Sequence, residues 1–307
     1  MKRVLVTGGT GFIGRHALQP LVVRGYEVHV CVRGGDRAAA LPPGVSPEVC
    51  DLFDERARRQ VLAAVRPTHL LHFAWYTAHG KFWTAEENLA WTQASLGLLR
   101  DFADCGGGRA VSAGTCAEYD WSQGACCERA TPLAPRTLYG TCKNSLRQIW
   151  EKFSETRGLS TAWGRIFFLY GPDEHSARFV PAIIQALRAG RLAQCRCGGH
   201  VRDFLHAADV AEAFVALLDS PVSGPINIAS GRPISLGAVA TLLGDRLGGR
   251  QLLELGEQPG TPDNPVTLTA LTARLRDEVG WRPRYTLEQG LDSLLATADP
   301  RRIAFAA

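Results

Sequence analysis

The sequence predicts an α/β fold of the doubly wound, parallel-sheet kind, and three observations predict it. Short β-branched runs alternate with helix-length segments through the first half of the chain. The first of these runs is followed by a glycine turn, a helical stretch and a second apolar run, a β-α-β unit of about 30 residues. Hydrophobic residues make up 46% and charged residues 21%, the balance of an ordinary globular chain, which excludes disorder as the main state.

The elements follow in order. Residues 3–7, Arg-Val-Leu-Val-Thr, read as the first strand, residues 12–24 as the helix after the glycine turn, and residues 27–32 as a second buried strand. A third short run ends before Cys50. Helical patterns at 54–65 and 85–104 alternate with apolar runs at 68–74 and 109–112. A long helix is expected over 139–156, then one strand over 159–169. Beyond Tyr170-Gly171-Pro172 the texture changes to short helices, at 182–189, 207–218 and 236–247, separated by Gly- and Pro-containing loops. At roughly 150 residues per domain, the 307 residues divide into 1–170, the sheet-forming part, and 171–307, a smaller α/β part over the open end of the sheet. The stretch 256–265, with three prolines, reads as an ordered surface loop.

Several classes of function are excluded by composition. No apolar run approaches the roughly 18 residues that cross a bilayer, and the N-terminus turns glycine-rich before a signal-peptide core forms. A cytoplasmic protein without a membrane partner is the expectation. The 34 basic and 30 acidic residues give a net +4 without a Lys/Arg block, so nucleic acid is not an expected partner. Nine cysteines are an odd count without a disulfide framework, and the pairs Cys126/Cys127 and Cys195/Cys197 lack the second pair that a zinc site needs. No metal is expected.

Gly8, Gly11 and Gly14 stand between the first strand and the first helix. The first allows the tight turn, the second lets backbone approach a pyrophosphate, and the third allows close packing, while the helix N-terminus offers free N–H groups. This is a Rossmann-type dinucleotide site. The second strand ends on Val32, where an acid would grip the ribose of NAD, and Arg33 and Arg37 follow. Guanidinium groups there suit a 2′-phosphate, so NADPH is favoured with NAD open; solvated loop charges, or Asp36 turned inward, are the alternatives. Asp51 is placed either to accept from the adenine amino group or to cap a helix.

The glycine motif, Leu71-His72-Phe73-Ala74, Thr115, Tyr139-x-x-x-Lys143 and Arg202-Asp203-Phe204-x-His206-x-x-Asp209 together resemble the extended short-chain dehydrogenase/reductases, and more narrowly their branch that modifies nucleotide-activated sugars. The matches cover residues 3 to about 231. The resemblance implies that Phe12, Ile13, Leu52, Phe73 and Ala74 line the cofactor beside Gly8, Gly11, Gly14, Asp51, Tyr139 and Lys143. It also implies a homodimer built on the helices at 85–104 and 139–156.

Four residues of separation put Tyr139 and Lys143 on one helix face. A tyrosine has a pKa near 10; a neighbouring ammonium and an oxidised nicotinamide favour the phenolate, so Tyr139 can act as acid or base with Lys143 tuning it. Only four lysines occur in the chain. Thr115 stands where the family has a Ser or Thr that orients the substrate carbonyl; Ser112 is a competitor, and a hydroxyl that merely satisfies the strand end is the bland alternative. Trp75, in the aromatic stretch 73–83, either shapes a sugar pocket or packs against the C-terminal part. Arg178 and Arg202 fall where the family faces a substrate pyrophosphate, with an Arg202–Asp203 ion pair as the alternative. Asp209 reads as a helix cap.

Dehydratases of this resemblance carry Asp-Glu directly after the Thr, whereas Cys116 and Ala117 stand here, with Glu118 one place further. The tract 113–121 is more similar to reductases of 4-keto-6-deoxy sugar nucleotides. The expectation is NADPH-dependent reduction of a nucleotide-linked keto sugar, with an epimerase or decarboxylase recycling bound NAD as the runner-up and a catalytically silent nucleotide sensor as a remote third.

Overall fold

The computed structural model describes residues 2–34 and 41–297. In chain order it forms β1 (Arg3–Thr7), α1 (Gly14–Val23), β2 (Glu27–Val32), β3 (Val45–Val49), α2 (Glu55–Val65), β4 (His69–His72), α3 (Glu87–Asp104), β5 (Arg109–Thr115), β6 (Ala125–Cys126), α4 (Leu138–Arg157), β7 (Ser160–Ile166) and β8 (Phe168–Tyr170). The remainder forms α5 (Phe179–Arg188), β9 (Ala193–Cys195), β10 (Val201–His206), α6 (Ala207–Asp219), β11 (Gly224–Ile228), β12 (Pro233–Ser235), α7 (Leu236–Leu247), β13 (Leu253–Leu255), β14 (Thr267–Ala270) and α8 (Leu287–Thr297).

Seven strands form one sheet in the order β11-β7-β5-β4-β1-β2-β3, and every pairing in it is parallel. The alternation of side chains along a strand explains the double winding. On β1, Val4 and Val6 face a core with Leu18 and Leu21 of α1 and Phe214 of α6, whereas Leu5 faces a second core with Leu62 of α2, Leu98 of α3 and Trp150 of α4. Pro47 is tolerated in β3 because that strand is the sheet edge.

A second sheet, β12-β10-β14-β6 with β8 joined to β10, carries its own core with α5, α7 and α8. The single strand expected over 159–169 is two strands. β7 belongs to the large sheet, and the chain crosses at Phe167 so that β8 pairs with β10. The large sheet also takes β11 from beyond residue 170, and α6 packs beside α1. The helix α8 was not read from the sequence, although Thr286 and Gln289 cap each other's backbone N–H groups at its start, at 3.2 and 3.0 Å, which is a local signal.

Candidate active site

The carboxyl ends of β5, β4 and β1 lie side by side, so the residues after them converge: Thr115, Phe73 with Ala74, and Gly8. Gly8 has φ +70°, and a Cβ there would stand 2.7 Å from the Ala74 nitrogen. A Cβ on Gly14 would stand 2.2 Å from the Gly8 carbonyl oxygen, so helix α1 is pressed onto the turn. Gly11 is exposed and meets only the Gly8 carbonyl, leaving its outer side open. No side chain caps α1, whose first residues follow Phe12 and Ile13. This backbone fits a pyrophosphate.

The ends of β1 and β4 are locked together. The Thr7 hydroxyl and His72 Nδ1 are 2.6 Å apart, His72 Nε2 and the Ser95 hydroxyl 2.8 Å apart, and the Ala74 N–H donates to Thr7 at 3.3 Å. Burial holds His72 down at about 3, so it is a neutral strut. Phe73 packs edge-on against Phe214 at 4.9 Å.

At the adenosine end, Val32 closes β2 and Arg33 is exposed without an ion pair among the described residues. Arg37 and Asp36 lie outside the described residues. Asp51 is exposed and accepts from the Phe53 N–H at 3.0 Å; the cap of α2 is Asp54, so the capping alternative for Asp51 is corrected. Leu52 beside it is buried.

Tyr139 sits in the first turn of α4, which Thr137 caps by accepting from the Gly140 N–H at 3.1 Å. Phe82, Trp83 and Trp75 surround its ring edge-on at 5.0, 5.8 and 6.5 Å between centroids. Burial pushes the phenol well above its ordinary value, and an interaction with the Thr115 hydroxyl opposes that rise. One turn on, Lys143 is buried; Nζ donates to the Ala113 carbonyl at 2.8 Å and stands 3.7 Å from the centre of the Trp75 ring. Burial brings it from 10.5 down to about 7. The expected lowering of Tyr139 is therefore not what this site shows: loss of hydration dominates both groups.

Thr115 is buried at the end of β5. Its hydroxyl accepts from the Ala117 N–H at 3.2 Å, and its own N–H donates to Glu118 at 2.8 Å. Glu118 is fully buried: Oε1 also accepts from the Trp163 indole at 2.8 Å, and Oε2 from Arg165 at 2.7 Å. Ser112 is turned inward, with its hydroxyl against the His72 carbonyl. Thr115, Tyr139, Lys143 and Trp75 are thus brought together, with Arg178 close by, 5.9 Å from the Phe82 ring.

Arg202 is buried and turned toward the 256–265 loop. It donates to the carbonyls of Val201 and Val266 and to Asn264 Oδ1 at 2.6 Å. The Arg202–Asp203 ion pair is not formed, because Asp203 spends its carboxylate on the Ser230 N–H and hydroxyl and the Gly231 N–H. Among the described residues no carboxylate pairs with Arg202. Asp209 does not cap α6 either; His206 does, and Asp209 accepts from the N–H groups of Arg284 and Tyr285. Sequence reasoning did not find Asn88, which holds Trp75, since nothing local marks it.

Comparison with known proteins matches the profile of the "NAD dependent epimerase/dehydratase family" to residues 4–229. A UDP-glucuronic acid decarboxylase 1 of Xenopus tropicalis is 25% identical over 96% of this chain and 71% of its own. A dTDP-6-deoxy-L-talose 4-dehydrogenase (NAD(+)) of Aggregatibacter actinomycetemcomitans is 26% identical over 76% of this chain and 86% of its own. The solved structure of Thermus thermophilus UDP-glucose 4-epimerase with NAD superposes with a TM-score of 0.79 at 26% identity, over 99% of this chain and 100% of that one.

Proposed function

The chain belongs to the NAD dependent epimerase/dehydratase family, and from that premise we propose that it reduces a keto group on a nucleotide-activated sugar, a 4-keto-6-deoxyhexose, with NADPH. It is an NAD(P)-dependent enzyme of the oxidoreductase type found among extended short-chain dehydrogenase/reductases. The observation that carries the reductase reading is the proton inventory beside Thr115. Burial keeps Tyr139 a phenol at neutral pH, a donor with its proton in place. Glu118, the nearest carboxylate along the chain, has both oxygens committed to Thr115, Trp163 and Arg165. Reduction needs one proton and one hydride, which Tyr139 and a nicotinamide can supply; eliminating water needs a further acid and base.

In this reading the Gly8–Gly14 turn and the open N-terminus of α1 hold the dinucleotide pyrophosphate, with Phe12, Ile13, Leu52, Phe73 and Ala74 along its length. Arg33, without an ion pair among the described residues, meets the 2′-phosphate of NADPH, and Asp51 the adenine. A nicotinamide held there would supply the hydride for the carbonyl carbon. Thr115 orients the carbonyl, Tyr139 gives its proton to the developing alkoxide, and Lys143 holds ribose hydroxyls. Trp75 borders the sugar and Arg178 faces its pyrophosphate, while Arg202, its donors taken by Val201, Val266 and Asn264, braces the 256–265 loop instead. The relative named as a 4-dehydrogenase of a 6-deoxy sugar nucleotide favours this chemistry.

The second reading, an internal redox cycle on retained NAD, is favoured by the relatives named as decarboxylase and epimerase. Denaturing the purified protein and identifying released nucleotide, beside titration of the native protein with NADPH and NADH, separates the two. An empty site preferring NADPH supports net reduction. Stoichiometric NAD supports the cycle. In either case Tyr139→Phe is expected to lose orders of magnitude in turnover with cofactor binding retained, and wild-type turnover would remove the role of Tyr139.

A further inference from the structure

Lys143 is a buried ammonium, and among the described residues no carboxylate lies against it. Beyond its hydrogen bond to the Ala113 carbonyl, its surroundings are rings: Trp75 at 3.7 Å and Trp163 at 5.9 Å from Nζ. The titratable groups facing it offer little. Glu118 acts on it through space, but that charge is spent on Arg165; His72, beneath it, is neutral; Tyr139, one turn back, is a phenol. Among the described residues the one close partner that favours a positive Nζ, apart from a single carbonyl, is the face of the Trp75 indole, whose quadrupole attracts a cation most strongly where water is excluded.

The indole is not free to turn. Trp75 Nε1 donates to Asn88 Oδ1 at 2.8 Å, and Asn88 is fully buried. The Asn88 amide in turn donates to the carbonyls of Phe82 at 2.7 Å and Ala85 at 2.8 Å. Rotating Trp75 away would leave Oδ1 of the buried Asn88 without its donor. The same Asn88 thereby ties the indole to the segment whose Phe82 and Trp83 rings abut Tyr139.

We propose that Trp75 is a positioning residue of the Tyr139–Lys143 dyad: Asn88 clamps its indole, and the indole face keeps Lys143 protonated and aimed along the Ala113 carbonyl. This rests on the reading of Tyr139 and Lys143 as the reacting dyad. A protonated lysine has three donors. One is fixed on Ala113 and the indole face draws a second toward the ring, which leaves the third for cofactor hydroxyls. A neutral amine would offer one fewer and would not favour a phenolate at Tyr139.

The scarcity of lysine makes the test direct. Only Lys2, Lys81, Lys143 and Lys152 occur, and the other three are exposed. In protein carrying 13Cε-lysine, Lys143→Met identifies the Lys143 resonance, whose titration is then followed by NMR without cofactor and with NADPH. The midpoint in Trp75→Leu is expected to fall by about one pH unit below the wild type, and Trp75→Phe to restore most of the difference. If Trp75→Leu does not fold, fluorinated tryptophans in the wild-type chain weaken the ring quadrupole, and the midpoint must descend with each added fluorine. An unchanged midpoint in the variant or across the fluorinated series overturns the proposal. A Lys143→Met protein with full turnover on a 4-keto-6-deoxy sugar nucleotide overturns the dyad instead, while leaving the effect of Trp75 on the titration intact.

Discussion

Lys143→Met is expected to make the protein more stable while disabling it. In an unfolded chain this lysine titrates at its ordinary 10.5, but in the fold burial brings it to about 7. The unfolded state therefore binds one more proton between those values, and wild-type stability rises with pH across that window. The penalty reaches about 5 kcal/mol well below pH 7, at 1.4 kcal/mol per pKa unit, and is about 4 kcal/mol at pH 7, the midpoint in the fold. Methionine has similar length and no charge to dehydrate, but it leaves the Ala113 carbonyl without its 2.8 Å donor, a loss of about 1–2 kcal/mol. The net gain at pH 7 is about 2–3 kcal/mol, or about 3–5 °C in melting temperature for a chain of this size. Thermal unfolding of both proteins, followed by circular dichroism from pH 6 to pH 10, measures it. The gap should be widest below pH 7 and close as pH approaches 10.5, since all other groups cancel in the difference. A variant less stable at pH 7, or a gap independent of pH, would refute the reasoning.

The remaining expectations concern the frame around the dyad. Gly14→Ala places a methyl 2.2 Å from the Gly8 carbonyl; it should cost about 2–3 kcal/mol in urea unfolding and abolish saturable NADPH fluorescence enhancement. Glu118→Gln leaves buried Arg165 without its counter-charge, so stability should fall by about 3–5 kcal/mol. Turnover per folded molecule should change little, and a selective loss of turnover without loss of stability would assign Glu118 to the chemistry.

The large sheet was legible because its signals are local. Each of β1, β2 and β4 is a short apolar run closed by glycine or polar residues, and a strand feeding a helix feeding a strand leaves few other arrangements. The break at Phe167 was not legible, because residues 166–170, Ile-Phe-Phe-Leu-Tyr, are an unbroken apolar run across it. What divides them is the choice of partner: β11 on one side of the break and β10 on the other, about 60 and 40 residues further along the chain. No pattern within the run records a change of neighbour.

The site divides in the same way. Tyr139 and Lys143 were found because helix geometry turns a spacing of four into proximity, and Gly8 and Gly14 because a tight turn leaves no room for side chains. What sets the behaviour of that pair was hidden. Reading an ammonium beside a phenol, elementary electrostatics predicts that each favours the charged form of the other. In the fold both groups have lost water, and Lys143 directs its ammonium at Ala113 and Trp75, so dehydration decides. Glu118 was equally ambiguous: one position past the place of a dehydratase acid, it could have pointed to substrate. Its direction was fixed by Trp163 and Arg165 from β7, 45 and 47 residues away. Once those two claim its oxygens, the carboxylate supports the turn that carries Thr115, and this is why the proposed reaction draws its proton from Tyr139.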